Sequence, residues 1–317
     1  RVILRGMVAN NARRELAIRV AWLYHERGLN QQEVADRLGL SRSTISRILT
    51  NAERDGIVRV LITEPLPESA RLSEALVGRY GLVGAIVGHA LEGESPMLAA
   101  ATAMARRLET IAASGSIKVA AGWGRTIAMS ARETRSMRTS GLVLVDAFGH
   151  TTTDDMTAAV EVTSTLARKF DAKVMHVPSP GFASSAEIAE SFLESPPVAR
   201  ALEQARTADV IIVSVGVIGS ESLVLAEGFM TAAAMDHVIA AGAVGEIFGR
   251  YFDAEGNKVD APGLHPVALT LDELRNAPRV IGVAAGTEKA PAIRAAIASG
   301  ILNELVIDET LASALLA

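Results

Sequence analysis

Two groups of residues in this 317-residue chain have the types and spacing to do chemistry. The first is Ala121-Gly122-Trp-Gly124-Arg125-Thr126, which follows an apolar run and precedes a helical pattern. Glycines let the backbone approach a ligand and turn N–H groups toward it. The helix start adds partial positive charge, Thr126 a hydroxyl and Arg125 a formal charge, and all of these favour an anion such as phosphate. The spacing matches neither a Walker motif nor the dinucleotide fingerprint, so no nucleotide is implied. Gly286-Thr-Glu-Lys289 opens another helix after a strand. A lysine opposes the helix dipole there, which points to service for a bound anion. Glu246, in Gly242-Ala-Val-Gly245-Glu246, can accept hydrogen bonds from sugar hydroxyls. Gly149 joins these ligand candidates from the loop Phe148-Gly149-His150, with His150 a further candidate for the wall. The competing reading of the first loop is a turn that needs glycine for packing alone.

The second group is Gln31-Gln-Glu-Val-Ala35-Asp-Arg-Leu-Gly39-Leu-Ser41-Arg-Ser-Thr-Ile45-Ser-Arg-Ile48. Small Ala35 falls where two helices cross closely, and Gly39 sits at the turn, where positive φ costs least. Val34, Leu38, Leu40, Ile45 and Ile48 take the inward positions, and Ser41 caps the second helix. Gln31, Ser41, Arg42, Ser43, Thr44, Ser46 and Arg47 are left to meet double-stranded DNA. This is the pattern of a helix-turn-helix with its recognition helix exposed. A plain amphipathic hairpin shares the apolar spacing but rarely adds the small residue, the turn glycine and an acid-free polar face.

The elements that must hold these groups follow from periodicity. Residues 13–28 read as a helix before the pair, and 58–63 as a strand that would form half of a small wing. Glu64-Pro65-Leu-Pro67 reads as a linker, followed by a helical pattern over 68–80. From there β-rich runs at 84–87, 117–121, 142–145, 173–177, 210–215, 279–284 and 305–307 alternate with helical ones. The helical stretches are 96–114, 127–137, 155–170, 186–192, 198–206, 232–241, 289–299 and 309–316. Several strands are near-continuous Val/Ile/Ala runs, as strands covered on both faces should be. The fold class expected is therefore a small all-α helix-turn-helix domain followed by an α/β domain with a mostly parallel, Rossmann-like sheet. The domains are expected at 1–63 and 68–317, with 64–67 between them. In such sheets ligands bind beyond the carboxyl ends of the strands, where the first group of residues lies.

Composition agrees. A hydrophobic content of 49% marks a globular chain. No apolar run is long enough to span a membrane, and Arg1-Val-Ile-Leu-Arg5 lacks the core of a secretory signal. With no cysteine in the chain, disulfides, thiolate nucleophiles and zinc-thiolate sites are excluded. A cytoplasmic location is expected. The net charge of −5 hides a split: residues 1–63 carry +5 and the remainder −10. A basic head on an acidic body suits a nucleic-acid-binding module attached to something else. The six histidines show no metal-ligand spacing and no Gly-x-Ser-x-Gly elbow appears. No catalytic residue, metal or cofactor is assigned.

With these motifs in this order, the chain resembles the SorC family of sugar-responsive bacterial transcription regulators from about residue 13 to residue 316. Further markers are Ala208-Asp209-Val-Ile-Ile-Val-Ser-Val-Gly216, Tyr251-Phe252-Asp253-Ala-Glu-Gly256 and Asp308-Glu309-Thr. The resemblance implies an effector domain with the deaminase/isomerase/CoA-transferase-like fold. It also implies a sugar or sugar-phosphate ligand and a homo-oligomer, dimer or tetramer. By motif, Gly122, Gly124 and Thr126 would contact the phosphate or its equivalent, Lys289 would also face it, and Glu246 would face the sugar; Trp123 and Arg125 are bulkier than the small residues some members carry in this loop. Deaminases of this fold carry an Asp-Gly-His-Ile run after the equivalent strand, whereas Gly216 is followed here by Val-Ile-Gly219. The expectation is therefore a regulator and not an enzyme. The alternatives are a sugar-phosphate isomerase or deaminase with an accessory head, and an architectural DNA-binding protein without an effector.

Overall fold

The computed structural model describes residues 13–58, 66–152 and 157–317. The chain divides into two compact units, Arg1–Pro65 and Leu66–Ala317.

In the first unit, helix α1 covers residues 13–21 and runs into a π-helical turn, Trp22–Glu26. Helices α2 (Gln31–Leu38) and α3 (Arg42–Arg54) follow. Asn30 and Glu33 form a reciprocal capping box at the start of α2. Gly39 ends that helix in the left-handed conformation at φ 66°, and Ser41 caps α3 through the Thr44 N–H. Val20, Leu23, Val34, Ala35, Ile45 and Leu49 form the core, with Leu38, Leu40 and Ile48 packed around it. Leu49, unassigned from periodicity, is more buried than Ile48. Of the expected strand at 58–63, Val58 is not in a strand, and 59–63 lie outside the described residues.

The second unit begins with α4 (Glu68–Tyr80), β1 (Gly84–Gly88), α5 (Pro96–Ala113), β2 (Lys118–Ala121) and α6 (Arg125–Glu133). Next come β3 (Val143–Asp146), α7 (Ala159–Phe170), β4 (Lys173–Met175), β5 (Phe182–Ala183), α8 (Ala186–Glu194) and α9 (Pro196–Arg206). β6 (Val210–Ser214), α10 (Leu223–Ala226), α11 (Ala232–Ala240), β7 (Gly245–Ile247), β8 (Arg250–Phe252), β9 (Lys258–Val259) and β10 (His265–Pro266) follow. The chain closes with α12 (Leu271–Arg275), β11 (Val280–Ala284), a 3-10 turn (Thr287–Lys289), α13 (Ala290–Ala298), β12 (Glu304–Asp308) and α14 (Glu309–Leu316).

All seven β-rich runs meet in one sheet of order β1-β12-β11-β6-β2-β3-β4. Every pair in it is parallel, so "mostly parallel" sharpens to wholly parallel. Alternate residues serve opposite faces. Val210 and Ile212 of β6 pack with α5, α6 and α7. Ile211 and Val213 pack with α4, α9, α13 and α14. From β2 the chain continues outward to β3, whereas from β6 it continues to β11 on the other side. The topological switch point therefore lies between β2 and β6.

Two short antiparallel pieces escaped the periodicity: β7-β8-β9 and β5-β10. Strands of two or three residues are too short to show alternation. The expected helix at 155–170 begins at Ala159; residues 155 and 156 of that expectation fall outside the described residues. Among the described residues no helix is long and apolar enough to cross a membrane.

Candidate functional site

The switch point opens into a cavity of about 280 Å³ walled by Trp123, Gly124, Arg125, Thr126, Ser214, Gly216, Glu246 and Lys289, with Glu221 and Glu288 at its edge. That volume is near the lower bound for small-molecule sites and suits a monosaccharide-sized ligand.

Each wall is built by a local constraint. Gly122 continues the sheet, its N–H donating to the Ile212 carbonyl at 3.1 Å. A side chain there would meet the Phe248 ring at 2.1 Å. Gly124 has φ 134°, and a Cβ would lie 2.8 Å from Ser214. α6 then starts without a side-chain cap, so its first-turn N–H groups are available to an anion. Thr126 is buried in that turn, and Arg125 reaches across to the Glu221 carbonyl at 3.2 Å.

Glu246, another lining residue, is bridged backbone to backbone with Gly216. Its carboxylate accepts the Gly249 N–H at 2.8 Å. Gly249 belongs to a two-residue turn in which Phe248 (φ 57°) and Gly249 (φ 71°) are both left-handed. A bulky residue at positive φ is strained by about 1–3 kcal/mol. Phe248 is held there by full burial against Phe148, ring centroids 6.2 Å apart. The strained turn is what aims an N–H at Glu246. Lys289 ends the 3-10 turn and donates to the Val215 carbonyl at 2.7 Å. Trp123 stacks on Phe148 at 5.4 Å and meets Phe182 and Phe229 edge-on.

The electrostatics follow from burial. Desolvation raises the Glu246 carboxyl to about 7, with the Gly249 N–H and Lys289 opposing the rise. Desolvation also lowers Lys289, against the pull of Glu246 and Glu288. Across the range between the ordinary 4.5 and about 7, folded Glu246 keeps a proton that the unfolded chain has released. Stability is therefore expected to fall as pH rises through that range, by roughly 3 kcal/mol. Urea titrations at a series of pH values should show this slope in the wild type and not in Glu246→Gln. Equal slopes in the two proteins would place Glu246 in contact with water.

The structure thus brings Gly124, Arg125, Thr126, Glu246 and Lys289 together. Gly122 supports the loop from behind. Gly149 lies away from the cavity wall, its N–H committed to the Val267 carbonyl at 2.9 Å. A Cβ there would sit 2.4 Å from the Pro180 carbonyl oxygen, so close backbone approach is reason enough for glycine. His150 also stands outside the wall, bridged to Pro180.

A buried knot at the end of β3 was not legible in sequence. Asp146 accepts from Thr163 Oγ1 at 2.6 Å and pairs with His176 Nδ1 at 3.0 Å. The bond to Asp146 raises the His176 imidazole above its ordinary range. Ser164 Oγ is 3.3 Å from His176 Nε2. The chain of groups has the order of a Ser–His–Asp triad, but Ser164 sits mid-helix, where N–H groups are spent on the helix and none is free to form an oxyanion hole. Its effect is to staple α7 to the strand ends.

In the head, α3 presents Arg42, Ser43 and Arg47 to solvent and carries no acid in its first turn. Ser46 and Gln31 are half-buried. Thr44 is half-buried too, its hydroxyl 2.8 Å from Ser41 Oγ, and Ser43 Oγ lies 3.0 Å from the same atom. The serine cap thus shares its hydroxyl with two of the outward residues.

A family model described as "Putative sugar-binding domain" matches residues 64–317, and a "Homeodomain-like domain" model matches residues 11–61. The transcriptional regulator LsrR of Klebsiella pneumoniae is 31% identical over 310 residues, covering 96% of this chain and 94% of that protein. The erythritol catabolism regulatory protein EryD of Brucella abortus is 28% identical, covering 95% and 96%. Among solved structures, the full-length sorbitol operon regulator SorC from Klebsiella pneumoniae aligns with a TM-score of 0.72 at 24% identity. That alignment covers 96% of this chain and 99% of that one, a likeness of fold.

Proposed function

The chain belongs to the family of transcriptional regulators, SorC among them, that join a helix-turn-helix head to a sugar-binding domain, and on that premise we propose how its residues divide the work. It is a DNA-binding regulator whose operator binding is modulated by a sugar effector. In our reading Arg42, Ser43 and Arg47, with Gln31, Ser41, Thr44 and Ser46 around them, meet the operator. Residues 1–63 would form the DNA-binding domain, 64–67 the linker and 68–317 the effector domain. A dimer or tetramer would bring two recognition helices to half-sites about one turn of DNA apart. This work belongs in the cytoplasm.

The effector we propose is a sugar phosphate. The observation that carries this reading is the cavity itself: the uncapped start of α6, Thr126, Arg125, Lys289 and Glu246 all line it. Phosphate would take the N–H groups and Lys289, while sugar hydroxyls would donate to Glu246. We read the cavity as a sensor and not a catalytic centre, since Gly216-Val-Ile-Gly219 stands where deaminases of this fold carry their Asp-Gly-His run. A panel of sugar phosphates tested for thermal stabilisation and for turnover separates the two. The sensor reading expects a raised Tm without product; rapid isomerisation or deamination would replace it.

For the head, Arg47→Ala is expected to weaken specific operator binding by about 1–3 kcal/mol if the guanidinium reads a base edge. If it holds a phosphate instead, binding should weaken equally on all sequences and the salt dependence should become shallower. Unchanged affinity in fluorescence anisotropy would remove Arg47 from the interface.

A further inference from the structure

We propose that α14, anchored by Asp308, carries effector occupancy from the cavity to α4, the first described helix after the head. This rests on the reading of the cavity as an anion-binding effector site. Asp308, the last residue of β12, is 1% exposed. One of its oxygens accepts the Gly286 N–H at 2.9 Å. The other accepts the Thr310 and Leu311 N–H groups at 2.9 and 3.2 Å and so caps α14. Gly286 opens the 3-10 turn that ends in Lys289. A single buried carboxylate therefore ties the turn bearing the cavity's lysine to the start of the last helix. The 3-10 turn also packs directly against α14.

At its other end α14 is fastened to α4. Tyr80 Oη donates to the Leu315 carbonyl at 2.6 Å, and Arg79 donates to the Leu316 carbonyl. Between these ends Leu311 and Leu315 of α14 share one apolar cluster with Leu72 and Leu76 of α4. A packed helix moves as a body, because its side chains interlock too closely for gradual deformation. A shift of the Lys289 turn on closing around an anion is thus handed to α14 and on to α4. Asp308 is not among the residues that line the cavity; it is a positioning residue for Lys289.

The test is amide hydrogen exchange on the full chain, with inorganic phosphate as the probe at about ten times its Kd. In the wild type, exchange should slow about tenfold at 125–127 and 286–290, and also in α14 and α4. In Asp308→Ala, slowing at 125–127 should persist while that in α4 disappears. Tyr80→Phe leaves the cavity and the cap intact but removes one of the ties between α14 and α4, so it should keep the slowing at the cavity and reduce that in α4, where Arg79 and the leucine contacts still hold. This variant decides the matter if the alanine variant does not fold. Slowing in α4 that is as large in Tyr80→Phe as in the wild type overturns the proposed route. Slowing confined to the cavity in the wild type overturns it also, while leaving the anion site standing. No slowing at 125–127 in the wild type overturns the anion site and the route together.

Discussion

Replacing Glu304 by alanine is expected to cost about 3–5 kcal/mol of folding stability. Glu304 opens β12 at the amino end of the sheet and is 2% exposed. One carboxylate oxygen accepts from Arg107 Nε of α5 at 2.8 Å, and the other from Arg279 Nε at 2.7 Å. Two guanidiniums thereby share one buried anion in charge-assisted bonds. Truncation leaves both cations facing each other with no acceptor, which is why removing one member costs more than the intact cluster contributes. Glutamine keeps one acceptor oxygen without the charge and turns its NH2 toward the second guanidinium donor, so it should fall between wild type and alanine. Urea unfolding midpoints check the order. The cluster lies far from the strand ends that carry the cavity, so ligand affinity at a temperature where the variant is folded should stay as it was. An alanine variant as stable as wild type would show that the two arginines find water on their own.

Lys289→Met is expected to weaken sugar-phosphate binding by about 1.5–3 kcal/mol, the range for a hydrogen bond to a charged group, which is about ten- to over one-hundredfold in Kd. Its effect on stability should have the opposite sign or be absent. Burial already holds the Lys289 ammonium below its ordinary range. Its hydrogen bond to the Val215 carbonyl compensates only part of that desolvation. Methionine keeps the aliphatic stem and removes the buried charge, so the unliganded protein should be as stable or slightly more so. Binding sites commonly hold such groups against the interest of stability. Titration followed by Trp123 fluorescence in a Trp22→Phe background, paired with thermal unfolding, measures both quantities. Equal loss of affinity and stability would mean that Lys289 is a structural residue and that the anion is held elsewhere.

The head and the main sheet were legible because their signals are local and repeated. Gly39 sits at φ 66° and Ser41 caps α3, as their spacing implied. Runs such as Val210–Ser214 are apolar at every step, which few elements other than a strand buried on both faces require. The hairpin holding Glu246 was not legible as one. Its turn uses Phe248 where the pattern for that turn calls for asparagine, aspartate or glycine. What excuses the phenylalanine is burial against Phe148 and Gly122, residues about a hundred positions away in sequence. The near-neutral carboxyl of Glu246 was hidden for the same reason: its desolvation comes from packing, which no spacing reveals. The Asp146–His176 pair joins residues thirty apart, and neither had a local signature.

The central claim is that occupancy of the cavity between β2 and β6 changes the affinity of the head for its operator. It is tested most directly by fluorescence anisotropy on an operator selected by the protein from random DNA, titrated with a panel of sugars and sugar phosphates. For wild type, one sugar phosphate is expected to change operator Kd by about 5–150-fold, and Lys289→Met should need a correspondingly higher concentration of it. An operator affinity that is sequence-specific yet identical in the presence of every member of the panel would contradict the account.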